Sequence, residues 1–460
     1  MNIQQLISSQ TTFFHSQNTK SLQFRVEQLK KLKRLLKENE NELHEAIYKD
    51  FKRSAFENQL TELTLIYHEI NFAIKNLYRW AKKERVGTDI LNFPAKSYII
   101  KEPLGVTLVI GAWNFPYGLS IIPAVASLAA GNTVIIKPSE IPANTSRVLA
   151  QLINSNFDSN YLHVVEGGIP ETTELLNQRF DKIFFTGSTK VGKIVYQAAA
   201  KNLTPVTLEL GGKTPTFFHK DANLAIGVKR MVWAKFLNSG QICICPDYVL
   251  VHKDIVEKFL KTLVTEIEKH QYAFDKGNYV QIINDRNMQR LLSLLKNDSI
   301  YYGGSYSEDD RYLAPTILYP VSLEDPVMQE EIFGPILPII TYETIDEAIA
   351  ITKQLEKPLS CYIYTNNKKV KKRILDEVSF GAGCVNESIM HFANNGLPFG
   401  GVGESGFGSY HGKFGFDTFS HHKGVLEKPT WMELNIKYYN YTESKLKLIK
   451  KLILSGLKLS

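Results

Sequence analysis

Apolar residues recur at helical spacing between residues 21 and 85, as at Leu29, Leu32, Leu35 and Leu36, with Lys and Glu in the positions between. That pattern predicts long amphipathic helices. From residue 96 the period changes. Residues 96–103 alternate over a short run and read as a strand outside the main sheet. VTLVIG, the small-residue stretch IIPAVASLAAG ending at Gly131, TVIIKP and NTSRVLAQLINSN then read as strand, helix, strand and helix. YLHVVEG and KIFFTG are further strands with a short helix between them, and STKVGKIVYQAAAK opens a helix directly after Gly187. A second series starts near residue 214 with TPTFFH, a helix from about residue 224 to 237, YVLVHKD and VEKFLKTLVTEIEKH. TILYP, PILPIITY and SCYIYT follow. Strands alternating with helices imply parallel, doubly wound sheets.

The fold class expected is therefore α/β, with two doubly wound α/β domains and a small oligomerisation arm. The boundary falls near Gly211, giving residues 1–210 with the N-terminal helices and 211–394 as the second domain. After Asn394 six glycines fall between Gly396 and Gly408. Residues 395–426 thus read as a glycine-rich return and pairing arm, and 427–460 as a basic amphipathic tail. A chain of 460 residues exceeds one typical core, in agreement with more than one domain.

Composition narrows the function. Hydrophobic residues make up 44% and charged residues 22%, as in ordinary globular proteins. The net charge of +7 concentrates in residues 28–37, with five Lys/Arg, and in the last twenty residues. Both segments are helix-like. No recognition motif accompanies the charge, so nucleic acid is not an expected partner. Four cysteines without framework spacing point to a reducing compartment. His421 and His422 lack partners at metal-ligand spacing, and no metal is expected. The N-terminus has no basic segment followed by an apolar one, and no run of about eighteen apolar residues occurs. A cytoplasmic location is the expectation.

Candidate chemistry centres on NSGQIC. Cys243 sits where the helix from about residue 224 breaks into a Ser-Gly turn, a setting in which a thiol can be exposed and reactive. LELGGK places Glu209 at the end of an apolar strand, and GAWNFP places Asn114 in a tight turn after another. Thiol, carboxylate and amide are a nucleophile, a base for water and an oxyanion donor. Singly, each has a plainer reading: a small buried hydrophobe, a solvated strand end, a turn former. Two glycine motifs mislead. GVGESG at 401–406 lacks the βαβ context of a dinucleotide fingerprint, and GSTKVGK at 187–193 is followed by Ile194 rather than a Mg²⁺-holding hydroxyl. Gly187 and Ser188 still open a helix after a strand, where free N–H groups favour an anion such as a pyrophosphate.

GAWNFP, KPSE, FFTGSTKVG, ELGGK, NSGQIC, EEIFGP and LPFGG occur in that order. Together they resemble the aldehyde dehydrogenase superfamily, from about Ser21 to about Gly424. GESGFGSYHGKFGFDTFSHHKGV is similar to its class 3 branch, the fatty and aromatic aldehyde dehydrogenases. The resemblance implies a cofactor-binding first domain and a catalytic second one. It implies that Cys243 attacks the aldehyde, that Asn114 and the Cys243 backbone N–H hold the oxyanion, and that Glu209 activates water to release the acid. It places the GST turn by the pyrophosphate, Lys137 and Glu140 by the adenosine ribose, Glu331 by the nicotinamide ribose and Phe333 beside the ring. NAD is the implied cofactor, with NADP also accepted, since Lys137 partly offsets the repulsion between Glu140 and a 2′-phosphate.

The alternatives are a CoA-acylating enzyme, against which Glu209 speaks, a cysteine hydrolase without redox chemistry, and a non-enzymatic membrane-surface protein on the same fold. Tyr117, Trp233, Phe236 and Phe392 are candidate lining for an apolar channel that would take medium- or long-chain aliphatic or aromatic aldehydes, although core is the commoner role for each. A homodimer is implied by the branch. In the tail, Leu446, Ile449, Leu452, Ile453 and Leu457 recur at helical spacing among Lys445, Lys447, Lys450, Lys451 and Lys458. Residues 443–460 can then lie on an anionic bilayer or pack on the protein, and some class 3 relatives carry C-terminal membrane anchors.

Overall fold

The computed structural model describes residues 2–295 and 299–454. The amphipathic N-terminal segment forms helices Leu22–Glu38, Glu40–Phe51 and Thr64–Trp80, and Leu29, Leu32, Leu35 and Leu36 are all buried. Between the last two lie a single α-turn, Ala55–Asn58, and a π-helical turn, Gln59–Leu63. A further helix, Ile3–His15, is capped by the Asn2 side chain and sets Ile3 and Leu6 against the first sheet. Its polar composition hid it from the periodicity reading.

The first sheet has six strands in the order Gly406–Phe407, Val206–Glu209, Lys182–Thr186, Val106–Ile110, Thr133–Lys137 and Leu162–Val164. All neighbours run parallel except Gly406–Phe407, which pairs antiparallel with Val206–Glu209. The second sheet has seven, in the order Ile300–Tyr302, Thr316–Leu318, Ile336–Tyr342, Tyr248–His252, Pro215–Phe218, Ser360–Tyr364 and Ala382–Val385. Only Ile300–Tyr302 runs antiparallel to its neighbour. The strands are short and almost wholly buried, as parallel strands covered on both faces must be. Lys96–Pro103 stands apart, as its alternation predicts, between Glu84–Val86 and Ser420–Glu427 in a three-stranded antiparallel sheet.

Helix Gly118–Ala130 anchors the first sheet. Every one of its residues is buried. It has no polar face because the sheet covers one side and helices Leu22–Glu38, Thr64–Trp80 and Gly412–Thr418 cover the others. It ends at Gly131 in the left-handed region (φ 99°), where a Cβ would lie 2.4 Å from the Arg25 guanidinium carbon. Arg25 is held there by donating to the carbonyls of Thr19 and Ala129. The glycine-rich return thus serves more than one element: a strand on the first sheet, a helix against Gly118–Ala130, and a strand in the small sheet.

Beyond Glu427 the chain lies on the outside. Trp431, Tyr439 and Tyr441 are 73%, 88% and 82% exposed, and helix Glu443–Leu454 leaves Leu446 and Leu448 half exposed. Leu457 and Lys458 of the predicted tail lie outside the described residues. Among the described residues no helix is long and apolar enough to cross a membrane.

Candidate active site

Parallel strands deliver their carboxyl ends to one edge of the sheet, and the chemistry-bearing residues collect there. Lys137 ends Thr133–Lys137, Glu209 ends Val206–Glu209, Gly187 follows Lys182–Thr186, and Asn114 follows Val106–Ile110. The sheet grows outward from Val106–Ile110 through two strands on one side before the chain crosses to Lys182–Thr186 on the other. The crevice beside Val106–Ile110 is therefore the topological switch point, where ligands bind in open α/β sheets.

The second domain supplies the thiol. Helix Leu224–Phe236 is capped by Asn223 and terminates in a turn that holds Asn238, Ser239 and Gly240 at positive φ (50°, 50° and 72°). Gly240 has no alternative: a Cβ there would lie 2.2 Å from the Gly334 carbonyl oxygen. Side chains stitch the turn in place. Gln241 donates to the carbonyls of Asn238 and Gln281, both at 3.1 Å, and accepts from the Ile283 amide at 3.0 Å. Ser239 donates to the Val280 carbonyl at 2.6 Å.

Cys243 follows this turn and is partly buried against the main core, as are Trp113, Phe115 and Phe392. Its thiol is pushed well above the usual range by burial, then by the nearby carboxylates of Glu331 and Glu209, while its own backbone N–H opposes the shift. The turn leaves the thiol only partly exposed, and burial favours its protonated form. Cys245 is buried and donates to the carbonyls of Lys235 and Pro246, with burial lifting its thiol to about 11.

Glu209 is 2% exposed, and neither carboxyl oxygen has a hydrogen-bond partner among the described residues. Burial alone raises it well above the ordinary carboxylate value. Glu331 is raised to about 8 by burial and by Asp247, opposed by the Gly212 amide and by Lys213 and Arg290. Asn114 is also 2% exposed. Its amide donates to the Gln241 carbonyl at 3.0 Å, which ties the first domain's turn to the residue two before Cys243. Phe333 (φ 48°) meets Trp113 edge to face at 5.3 Å.

The other predicted residues lie along the same edge. Lys137 is buried, donates to the Pro138 carbonyl at 2.6 Å and lies 3.9 Å from the half-exposed Glu140 carboxylate. Ser188 caps helix Thr189–Ala200, and the Gly187 amide donates to the Glu209 carbonyl at 3.0 Å. A helix N-terminus, a buried ammonium and an outward carboxylate are the donor set for a pyrophosphate and a ribose, so the residues fit a dinucleotide. Of the proposed channel aromatics, Tyr117 and Phe236 are corrected to core. Tyr117 is fully buried with its hydroxyl on the Leu43 carbonyl, and Phe236 lies against Tyr272. Trp233 and Phe392 remain partly exposed.

Several residues at the site were not among those singled out from the sequence. Arg53 is fully buried and reaches both the Asn114 turn and Asn238. Tyr410 lies close enough to Glu209 and Cys243 for both to perturb its phenol. His411 is buried with its Nε2 unpartnered among the described residues, and burial lowers it to about 3. It packs edge to face on Phe392 at 4.6 Å. Tyr410 and His411 fall within the late glycine-rich stretch, whereas nothing in the sequence marked Arg53.

The model described as the aldehyde dehydrogenase family matches residues 1–425. A Staphylococcus aureus protein named 4,4'-diaponeurosporen-aldehyde dehydrogenase is 45% identical over 452 residues, spanning 97% of this chain and 98% of that protein. A mouse protein named aldehyde dehydrogenase, dimeric NADP-preferring, is 45% identical over 92% of this chain and 94% of its own length. A solved structure described as the substrate-bound state of Staphylococcus aureus AldH matches with a TM-score of 0.96 at 44% identity, covering 98% of this chain and all of that one.

Proposed function

The chain belongs to the aldehyde dehydrogenase family, and from that premise we propose that it oxidises apolar aldehydes to carboxylic acids with Cys243 as nucleophile. The carrying observation is the burial of the Cys243 thiol near the Glu209 and Glu331 carboxylates, with the Asn114 amide donating to the carbonyl of Gln241, two residues before Cys243. Bound NAD, or NADP in its place, supplies the hydride acceptor.

The chain's own groups do the rest. The Cys243 thiol gives its proton to water, and its sulfur bonds to the aldehyde carbon. The oxyanion so formed takes hydrogen bonds from the Cys243 backbone N–H and from the Asn114 N–H that Gln241 leaves free, an amide having two. Once the thioester has formed, Glu209 takes a proton from water, the water oxygen bonds to the acyl carbon, and the carbon–sulfur bond breaks to release the acid. Glu209 suits this role because its unpaired, buried carboxylate has a high proton affinity. Gly187 and Ser188 would hold the pyrophosphate, Lys137 and Glu140 the adenosine ribose, Glu331 the nicotinamide ribose, and Phe333 would lie by the ring.

The partly buried Trp113, Phe115, Trp233 and Phe392 favour an apolar substrate, medium- or long-chain or aromatic. The dimeric state in the mouse relative's name supports a homodimer here. A cytoplasmic enzyme that touches membranes reversibly is supported by the exposed basic helix Glu443–Leu454 and the exposed Trp431, Tyr439 and Tyr441 before it. NADH absorbance with hexanal and benzaldehyde, with and without CoA, tests the reaction. Acid formation independent of CoA is expected. Strict dependence on CoA, or no reduction with any aldehyde chain length, refutes it.

A further inference from the structure

We propose that Arg53 is a positioning residue that holds the Asn114 amide in register with Cys243. The inference rests on the roles proposed above for those two residues. Arg53 follows the left-handed Lys52 (φ 59°) at the end of helix Glu40–Phe51 and is wholly buried, although arginine is almost never fully buried unless paired. Its planar fork spans three segments of chain. Nη1 donates to Glu62 Oε1 at 2.7 Å, and Nη2 donates to the Asn114 carbonyl at 2.7 Å and to Asn238 Oδ1 at 2.5 Å. The rings of Phe51 and Phe115 flank it, at 4.6 and 4.9 Å from the guanidinium carbon.

The partners are anchored in turn. Glu62 lies in the π-helical turn Gln59–Leu63, a local insertion of the kind that re-aims side chains at functional sites. Its second oxygen accepts the amides of Tyr117 and Gly118, each at 2.8 Å. One carboxylate thereby fixes both Arg53 and the start of helix Gly118–Ala130, the element that follows the Asn114 turn. On the other side, Glu57 accepts the Asn238 amide at 3.0 Å, and the Asn238 side chain donates to the carbonyls of Asn114 and Gln241. The turn bearing the oxyanion donor and the turn bearing the thiol come from different domains, and both hang on one guanidinium. A misplacement of about 1 Å at such a donor costs on the order of 10²-fold in rate. A lysine cannot replace the fork, since a point charge on a flexible stem does not bridge three acceptors in a plane.

A double-mutant cycle on the full-length enzyme tests the assignment. Arg53→Met is expected to lower kcat on the order of 10²-fold, with dinucleotide binding retained. The same change in an Asn114→Ala background is expected to cost little more, because the donor it positions is already gone. Arg53→Lys should recover little of the loss. Hydrogen exchange of peptides carrying residues 114–118 and 238–243, which needs no turnover, should rise together in Arg53→Met. If Arg53→Met does not fold, Glu62→Gln takes its place in the cycle, loosening the guanidinium while keeping shape. Equal fold-losses in both backgrounds, a normal kcat in a folded variant, or exchange that rises in one peptide alone would overturn the assignment. Failure of the underlying reading looks different: Cys243→Ala, assayed alongside, would then turn over aldehyde like the unaltered enzyme.

Discussion

Glu209 is buried to 2% with both carboxyl oxygens unpartnered among the described residues, so its protonation should leave a mark on stability as well as on rate. Burial raises its proton affinity in the folded protein well above the ordinary value of 4.5. The folded state therefore holds a proton that the unfolded state has already lost over that interval. The carboxyl's contribution is fully present below the unfolded value, and it is lost as pH rises toward the folded one. Glu209→Gln keeps the shape and removes the titration. The stability of the variant relative to the unaltered protein should then grow by about 1.4 kcal/mol per pH unit between the two values. It should level off once the folded carboxyl ionises. The other raised carboxylates, Glu57, Glu62, Glu69 and Glu331, are present in both proteins and cancel in the difference. For a chain of 460 residues the slope amounts to about 1–1.5 °C in Tm per pH unit. Melting curves at matched protein concentration from about pH 5 to about pH 8 read it directly. A difference that stays constant with pH would show that the Glu209 carboxyl is solvated or paired, and the argument from an orphaned, buried base would fail.

Cys243→Ala should abolish aldehyde oxidation while the dinucleotide still binds, and Cys245→Ala should leave it largely intact; the reverse outcome in NADH assays would move the nucleophile to Cys245. Gly240→Ala should lose both stability and activity, because φ 72° is unfavourable for alanine and its Cβ would meet the Gly334 carbonyl; a variant with unchanged Tm and kcat would show that the Asn238–Cys243 turn is free to move. A chain ending at Thr442 should sediment less with anionic vesicles at low salt than the full chain, the lysines being worth on the order of 1 kcal/mol each near such a surface; equal sedimentation would leave the tail as a packing element.

The hydrophobic pattern alone determined a good deal. Apolar runs located most strands of both parallel sheets and helical spacing most helices of the first domain, whereas Ile300–Tyr302, Ala382–Val385 and Gly406–Phe407 and the helices Asp285–Ser293, Ile345–Lys353 and Lys368–Glu377 went unread. Those signals are local, set by which face of each element is covered. The motif residues were legible for the same reason: Asn114, Lys137, Gly187 and Glu209 each sit within a few residues of a strand's carboxyl end, so placing the strand places the residue. Helix Ile3–His15 was hidden, because its apolar residues, Ile3, Leu6, Ile7, Phe13 and Phe14, are split by a polar run and the buried position between them is Gln10. Tyr117 and Phe236 read equally well as channel or core, and only packing separated them. The state of the Cys243 thiol was likewise beyond the sequence, since burial and two carboxylates from distant segments set it together. Arg53 was the least legible of all. A charged residue in a polar loop looks solvated until the fold brings Glu62, Asn114 and Asn238 around it. The sequence fixes what lies within one element, because backbone geometry acts over a few residues. Which side chains meet across 185 residues of chain, as Arg53 and Asn238 do, depends on how two domains close on each other, and only the tertiary structure decides that.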